Sequence, residues 1–174
     1  MEIGKEVLMI KMKSCFILIL FFFSFEISGQ DCTEIFLIRH AEKIRSNPSE
    51  KDPELNAEGK LRASKWAEIF QNIQFDEIYS TKYKRTFQTV KPISSNTNTA
   101  VKFYSAAKIN YENFLKKNIG KKILVVGHSN TIPNFVNNII GKKIYKQMDD
   151  NNNSNLYIVN LCLNSISHKL LLIK

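Results

Sequence analysis

Two continuous apolar runs, each leading into a histidine, constrain this chain more than any other feature. Residues 35–38 are apolar and precede Arg39 and His40, and residues 123–126 are apolar and lead through Gly127 to His128. Runs that are apolar throughout, rather than at alternate positions, are typical of strands buried on both faces in parallel sheets. In such sheets ligands bind at the carboxyl ends of the strands, so both histidines are predicted to face one site.

Strand and helix patterns alternate along the rest of the chain. They predict a single three-layer α/β domain, with a mainly parallel sheet and helices on both faces. Strands are expected at residues 33–39, 76–80, 101–104 and 122–127, with an antiparallel pair at 155–163 and 167–173. Helices are expected from the Asn56 cap, from residue 80 or 81 to just before Pro92, over 110–118 closed by Gly120, and from 130 or 131 to Gly141.

The first 29 residues have the layout of a secretory signal peptide. Lys11 and Lys13 precede an apolar run over residues 15–25, and a polar Ser28-Gly29-Gln30 follows. That run is much shorter than the ~20 apolar residues that span a bilayer, so no stable membrane anchor is expected. The sequence therefore predicts a domain at residues 30–174 that is secreted or periplasmic after cleavage.

The chain is basic, with a formal net charge of +9. A positive surface attracts anions, which include phosphorylated small molecules, nucleic acid and an acidic membrane face. The lysines are spread along the chain rather than gathered in one arm, and this distribution argues against a nucleic-acid-binding role. The expected partner is thus a phosphorylated small molecule or phosphoprotein, while the oligomeric state is left open.

Two cysteines follow the predicted signal peptide, Cys32 before the first strand and Cys162 in a late one. A pair of this kind can be bridged in an oxidising compartment, and it can equally be two buried thiols. The sequence favours neither alternative.

Arg39, His40, Arg85 and His128 form a set suited to a phosphoryl group. Two guanidinium groups give fork-shaped donors to the oxygens of a dianion. A neutral imidazole between them can attack phosphorus, and a second histidine can stabilise the charge that builds up during transfer. These residue types predict a phosphoryl-transfer site.

Four segments then resemble the histidine phosphatase (phosphoglycerate mutase-like) superfamily, in particular its small phosphohistidine-phosphatase branch. They are Leu37-Ile38-Arg39-His40-Ala41-Glu42-Lys43, Pro53-Glu54-Leu55-Asn56-Ala57-Glu58-Gly59, Ser80-Thr81-Lys82-Tyr83-Lys84-Arg85-Thr86-Phe87-Gln88-Thr89 and Val125-Val126-Gly127-His128-Ser129-Asn130. The resemblance implies a phosphoglycerate mutase-like fold. It implies that His40 is the nucleophile, that Arg39, Arg85 and His128 bind the phosphoryl group, and that no metal or cofactor is needed.

The chain departs from that pattern at two places. Ser46 stands where many members have an asparagine that contacts phosphate, and Lys43 supplies a further cation nearby. The general acid is also not evident, because Glu112 is the only acidic residue between Arg85 and His128. Glu112 and Glu42 are both weak candidates for the acid. Without one, substrates with easily departing leaving groups are expected, such as phosphohistidine, acyl or aryl phosphates and pyrophosphates.

The sequence therefore predicts an exported, metal-independent phosphatase that works through a phosphohistidine intermediate on His40. One alternative is an enzyme acting on phosphorylated envelope glycolipids or sugars. The other is a binding module that keeps the anion site without turnover.

Overall fold

The computed structural model of the protein describes residues 32–174. The predicted signal peptide lies outside the described residues. None of the helices in the described part is long and apolar enough to cross a membrane. The elements are the strands β1 (Thr33–Arg39), β2 (Glu77–Ser80), β3 (Val101–Phe103), β4 (Lys122–Gly127), β5 (Asn155–Cys162) and β6 (Ser165–Leu172), and the helices α1 (Ala57–Ile69), α2 (Lys84–Thr97), α3 (Tyr111–Lys117) and α4 (Thr131–Ile140).

One six-stranded sheet runs in the order β3-β2-β4-β1-β5-β6. The first four strands in this order are parallel to one another, and β5 and β6 are antiparallel to their neighbours. The prediction of a three-layer α/β domain with a mainly parallel sheet is confirmed.

Successive side chains of the central strand β1 enter two separate cores. Ile35 and Leu37 pack with residues of α4, whereas Phe36 and Ile38 pack with residues of α1 and α2. Because both faces of the strand are covered, the sequence needs an apolar side chain at every position from residue 35 to 38. This explains the continuous run.

The pairing of β1 with β4 brings the two histidines to the same edge of the sheet. Arg39 lies opposite Gly127 in the register. Just beyond, the backbone N–H of His40 donates to the carbonyl oxygen of Gly127 over 2.9 Å. His40 and His128 thus leave adjacent parallel strands at their carboxyl ends, as the two apolar runs predict.

Helix α2 differs from the prediction at both ends. It begins at Lys84 because Ser80 still belongs to β2, and it continues through Pro92 to Thr97. A proline inside a helix removes one backbone hydrogen bond. Here Val90 and Ile93, on either side of Pro92, are both fully buried in the core shared with α1, and their burial holds the helix together across the proline.

The predicted helix boundaries set by asparagine and glycine mostly hold. Asn56 and Asn110 accept hydrogen bonds from the N–H groups of Gly59 and Asn113, respectively. Gly141 ends α4 in the left-handed conformation. Helix α3 has its C-cap at Asn118, as predicted for a helix over 110–118, and Gly120 adopts a positive φ in the turn that follows.

The structure joins Cys32 to Cys162 by a disulfide, with their Cα atoms 4.3 Å apart. The bond follows from the strand pairing, because Thr33 lies opposite Leu161 and the next pair outward is that of the two cysteines. Of the two alternatives left open by the sequence, the structure has the bridge.

Candidate active site

His40 is buried at the carboxyl end of β1, with only 3% of its surface exposed. Its Nδ1 atom lies 2.7 Å from the carbonyl oxygen of Ala41. Because a carbonyl oxygen can only accept, Nδ1 carries the proton and donates it, which leaves a lone pair on Nε2. Burial, followed by the charges of Arg39 and its neighbours, lowers the pKa of His40 to about 3. The imidazole is therefore neutral at ordinary pH and has the protonation of a nucleophile.

His128 lies beside it, with the two ring centroids 5.5 Å apart. Its Nδ1 is 3.5 Å from Nη2 of Arg85, and its Nε2 is 3.0 Å from Oγ1 of Thr81. Burial first and the charge of Arg85 second lower the pKa of His128 to about 4. The free site thus holds two neutral imidazoles.

A chain of hydroxyl groups fixes the tautomer of His128. Oγ1 of Thr86 has two carbonyl oxygens within reach, those of Thr81 at 2.9 Å and Tyr83 at 2.8 Å, so its one proton goes to a carbonyl. It must then accept the proton of Thr81 Oγ1, which lies 3.0 Å away. Thr81 in turn accepts from Nε2–H of His128. This leaves the lone pair of Nδ1 on the side of Arg85.

Arg39 is almost fully buried and its guanidinium is largely engaged by the loop before β5. Nη1 donates to the carbonyl oxygens of Asp149, Asp150 and Asn152 at 2.9 to 3.0 Å, and Nη2 pairs with the Asp150 carboxylate at 3.0 Å. Its Nε is buried and has no partner among the described residues. Its Nε–H and the second N–H of Nη2 are therefore left for an anion, and its role as a phosphate ligand stays a prediction.

Arg85 extends from the first turn of α2 toward the histidines. Its guanidinium lies 4.4 Å from the ring centre of Tyr83, and its Nη1 is 3.7 Å from the carboxylate of Asp52. As in Arg39, the Nε atom is buried without a partner in the described part of the chain. Buried donors of this kind are normally satisfied, so two of them beside two histidines fit the binding of an anion.

The loop before β5 is part of the site that the sequence prediction missed. The Asp150 carboxylate is held between Arg39 and Arg45, and these arginines lower its pKa to about 2. Nδ2 of Asn153 donates to the carbonyl oxygen of His40 over 2.7 Å. The asparagine-rich composition indicated only a loop, and nothing in it identifies these contacts with residues more than a hundred positions earlier.

The candidate acids Glu42 and Glu112 and the candidate phosphate ligand Lys43 lie at different distances from the two histidines. Glu42 follows the nucleophile closely, but its Oε1 pairs with Nε of Arg62 at 2.6 Å. Glu112 is 77% exposed on α3 and pairs with Lys116. Burial, and then the charge of Arg85, lowers the pKa of Lys43, which places this cation near the site. The structure brings Lys43 toward the histidines and leaves Glu112 on the surface, and the acid role of either glutamate stays a prediction.

A cavity of about 830 Å³ opens beside His128. Its lining comes from the segment after β2, the end of β3 with residues 105–107, and the start of α4. It contains the aromatic side chains Tyr83, Phe103 and Tyr104, and its lining includes no acidic residue. Within residues 32–174, no group of three or more His, Cys, Asp or Glu side chains is arranged to hold a metal ion.

Comparison of this chain with known protein families and structures agrees with this geometry. The profile of the Histidine phosphatase superfamily (branch 1) matches residues 35–106, which include His40 and Arg85. No curated protein matches the chain.

Several solved structures share the fold at low sequence identity. A putative phosphohistidine phosphatase SixA from Agrobacterium tumefaciens has a TM-score of 0.59 at 19% identity, over 79% of this chain and 97% of that one. A putative alpha-ribazole-5'-P phosphatase from Escherichia coli has a TM-score of 0.64 at 15% identity, over 80% and 96%. A phosphoserine phosphatase from Entamoeba histolytica has a TM-score of 0.61 at 16% identity, over 79% and 95%.

Proposed function

We propose that the chain hydrolyses phosphoryl compounds through a phosphohistidine on His40. The superfamily match confirms the predicted histidine phosphatase resemblance and the coarse prediction of a phosphatase. The observation that carries this proposal is the tautomer of His40. Its Nδ1–H is committed to the Ala41 carbonyl, so the lone pair of Nε2 is the free nucleophilic position.

The first step transfers the phosphoryl group to His40. Nε2 forms a bond to phosphorus as the bond from phosphorus to the leaving oxygen breaks, and the ring becomes a cation. The hydrogen bond from Nδ1–H to the Ala41 carbonyl stabilises that cation. The N–H groups of Arg39 and Arg85 neutralise the phosphoryl oxygens.

The second step returns the enzyme to its starting state. A water molecule attacks phosphorus, the bond from phosphorus to Nε2 breaks, and the water's proton leaves with the phosphate or to solvent. Protonation of His128 at Nδ1 would give a donor aimed at the phosphoryl group, because its Nε2–H is already held by Thr81. A bound dianion favours this proton, so the pKa of His128 would rise on binding. The proposed cycle uses no metal.

We further propose that the enzyme is exported and acts in the periplasm or outside the cell. The support is the sequence pattern of residues 1–29 and the Cys32–Cys162 disulfide, which suits an oxidising compartment. A phosphorylated envelope glycolipid or sugar is the alternative substrate class, supported by the basic surface. A binding module without turnover is the alternative to an enzyme.

Hydrolysis of an aryl phosphate by the purified chain, without added metal and with a chelator present, tests the proposal. His40→Ala should abolish turnover. His168→Ala is the matched control. His168 lies on the edge strand β6, where its Nδ1 is 2.8 Å from the hydroxyl of Tyr145, and it touches no proposed site residue. Full activity of the His40 variant would contradict the function.

A further inference from the structure

We propose that the cavity beside His128 binds a flat aromatic leaving group, so that the substrates of this phosphatase are aryl phosphates. Tyr83 and Phe103 would then be the residues that determine specificity. This inference rests on the proposed function and adds to it the chemical class of the substrate.

Aromatic side chains form one wall of the cavity. Tyr83 and Phe103 both line it, and they remain 43% and 49% exposed, which is high for large rings. Exposed aromatic surface gathered at one place usually marks a binding site. A flat ring entering the cavity would cover these faces through stacked or edge-to-face contacts.

Both rings are held in place from behind. The ring of Tyr83 contacts His128 edge-on with 5.1 Å between centroids, and the guanidinium of Arg85 lies 4.4 Å from its centre. The ring of Phe103 packs beside Phe87 at 5.9 Å. The wall is therefore preorganised, and it begins at the residues that would hold the phosphoryl group.

No carboxyl group lines the cavity to protonate a leaving group. An alkoxide leaving group needs an acid, whereas a phenoxide departs readily without one. The cavity lining contains no carboxylate, and Glu112, the candidate in the sequence, lies on the surface of α3 paired with Lys116. The charged side chain in the lining is Lys82, which would favour an electron-rich or anionic leaving group.

A pair of matched substrates separates binding of the ring from ease of departure. One is a substituted phenyl phosphate, and the other is a fluoroalkyl phosphate whose alcohol has the same pKa as the phenol. We expect kcat/KM for the aryl ester to exceed that of the fluoroalkyl ester by about tenfold. Equal values would overturn the inference while leaving the phosphatase function intact.

Phe103→Leu tests the wall itself, because leucine keeps an apolar side chain but lacks the ring face. An aromatic pair contributes about 0.5–1.5 kcal/mol beyond its area, so the aryl preference should fall by about fivefold. Leu61→Ala, at an exposed position of α1 outside the cavity, should leave the preference as it is. An unchanged preference in Phe103→Leu would show that any apolar group fits and would overturn the assignment.

A binding measurement keeps this test independent of turnover. Calorimetry should show tighter binding of phenylphosphonate than of hexylphosphonate to the wild-type protein, and the difference should shrink in Phe103→Leu. Phosphotyrosine and a phosphotyrosyl peptide serve as separate arms that distinguish a small aryl phosphate from a protein substrate. Failure of the proposed function would instead appear as an absence of all hydrolysis, with both matched esters left intact, and would also overturn the inference.

Discussion

Nε2 of His128 lies 3.0 Å from Oγ1 of Thr81, and this contact sets which nitrogen of His128 faces the phosphate site. The hydroxyl of Thr81 donates a hydrogen bond to Oγ1 of Thr86, and the hydroxyl of Thr86 donates to a backbone carbonyl. The direction of these hydrogen bonds is fixed because the last acceptor is a backbone carbonyl, which cannot donate. Both histidines thus have one ring nitrogen committed to a fixed partner, the Ala41 carbonyl for His40 and the Thr81 hydroxyl for His128.

Thr81→Val should lower kcat/KM by about tenfold, which corresponds to about 1.4 kcal/mol, because the hydrogen bond that fixes the tautomer is lost. Nitrogen-15 NMR of the histidine ring should show a mixture of the two tautomers in place of the Nε2–H form. Thr97→Val is the control, since this threonine is likewise buried but lies at the end of α2, where its hydroxyl donates to the Ile93 carbonyl. Wild-type activity in Thr81→Val would contradict the role of the hydroxyl chain.

Gly59→Ala should lower the free energy of unfolding by about 3 kcal/mol. A Cβ atom at this position would lie 2.1 Å from the carbonyl oxygen of Glu42, so α1 would have to move away from the segment that follows the nucleophile. Chemical denaturation measures the change. Ser64→Ala, at an exposed position on the same helix, should stay within about 0.5 kcal/mol of wild type, and an equally small effect at Gly59 would be inconsistent with the close packing.

Stability should fall as the pH drops from about 6.5 to 4.5. The unfolded chain takes up protons on both histidines in this range, while in the folded protein their pKa values are depressed to about 3 and 4, so the unfolded state binds more protons. Each histidine should contribute at most about 1.4 kcal/mol per pH unit. Denaturation at several pH values should show a smaller slope for His40→Asn, and an unchanged slope would contradict the neutral buried imidazole.

The Cys32–Cys162 bridge should appear in the intact mass of the exported protein as a difference of two hydrogens on reduction. Because the bridge closes a loop over 130 positions, its loss in the double serine variant should cost about 4 kcal/mol of stability. An identical mass with and without reductant would show that the cysteines are free.

The continuous apolar runs and their alternation with helices were sufficient to predict a mainly parallel sheet covered on both faces, and parallel strands place both histidines at one edge. The sequence did not predict that α2 continues through Pro92, because the burial of Val90 and Ile93 that keeps the helix intact depends on the packed core. A run of hydroxyl residues between β2 and Arg85 was visible, but its function depends on a contact with His128, 47 positions away.

The loop before β5 illustrates the same limit. Arg39 was predicted as a phosphate ligand from its place next to His40, whereas three carbonyl oxygens from the loop occupy its Nη1 atom. These acceptors are backbone atoms more than a hundred residues away, so side-chain identities could not reveal them. Arg39 therefore holds the loop in place, and its role as a phosphate ligand stays a prediction.

In the proposed mechanism, His40 carries the phosphoryl group during turnover. Rapid acid-free quenching of the wild-type protein with an aryl phosphate, followed by digestion and mass spectrometry under alkaline conditions, tests it most directly. We expect one added phosphoryl group on the peptide that contains His40, formed and lost at rates compatible with turnover and missing in His40→Ala. Hydrolysis that proceeds with the group on another residue, or with none attached to the protein, would contradict it.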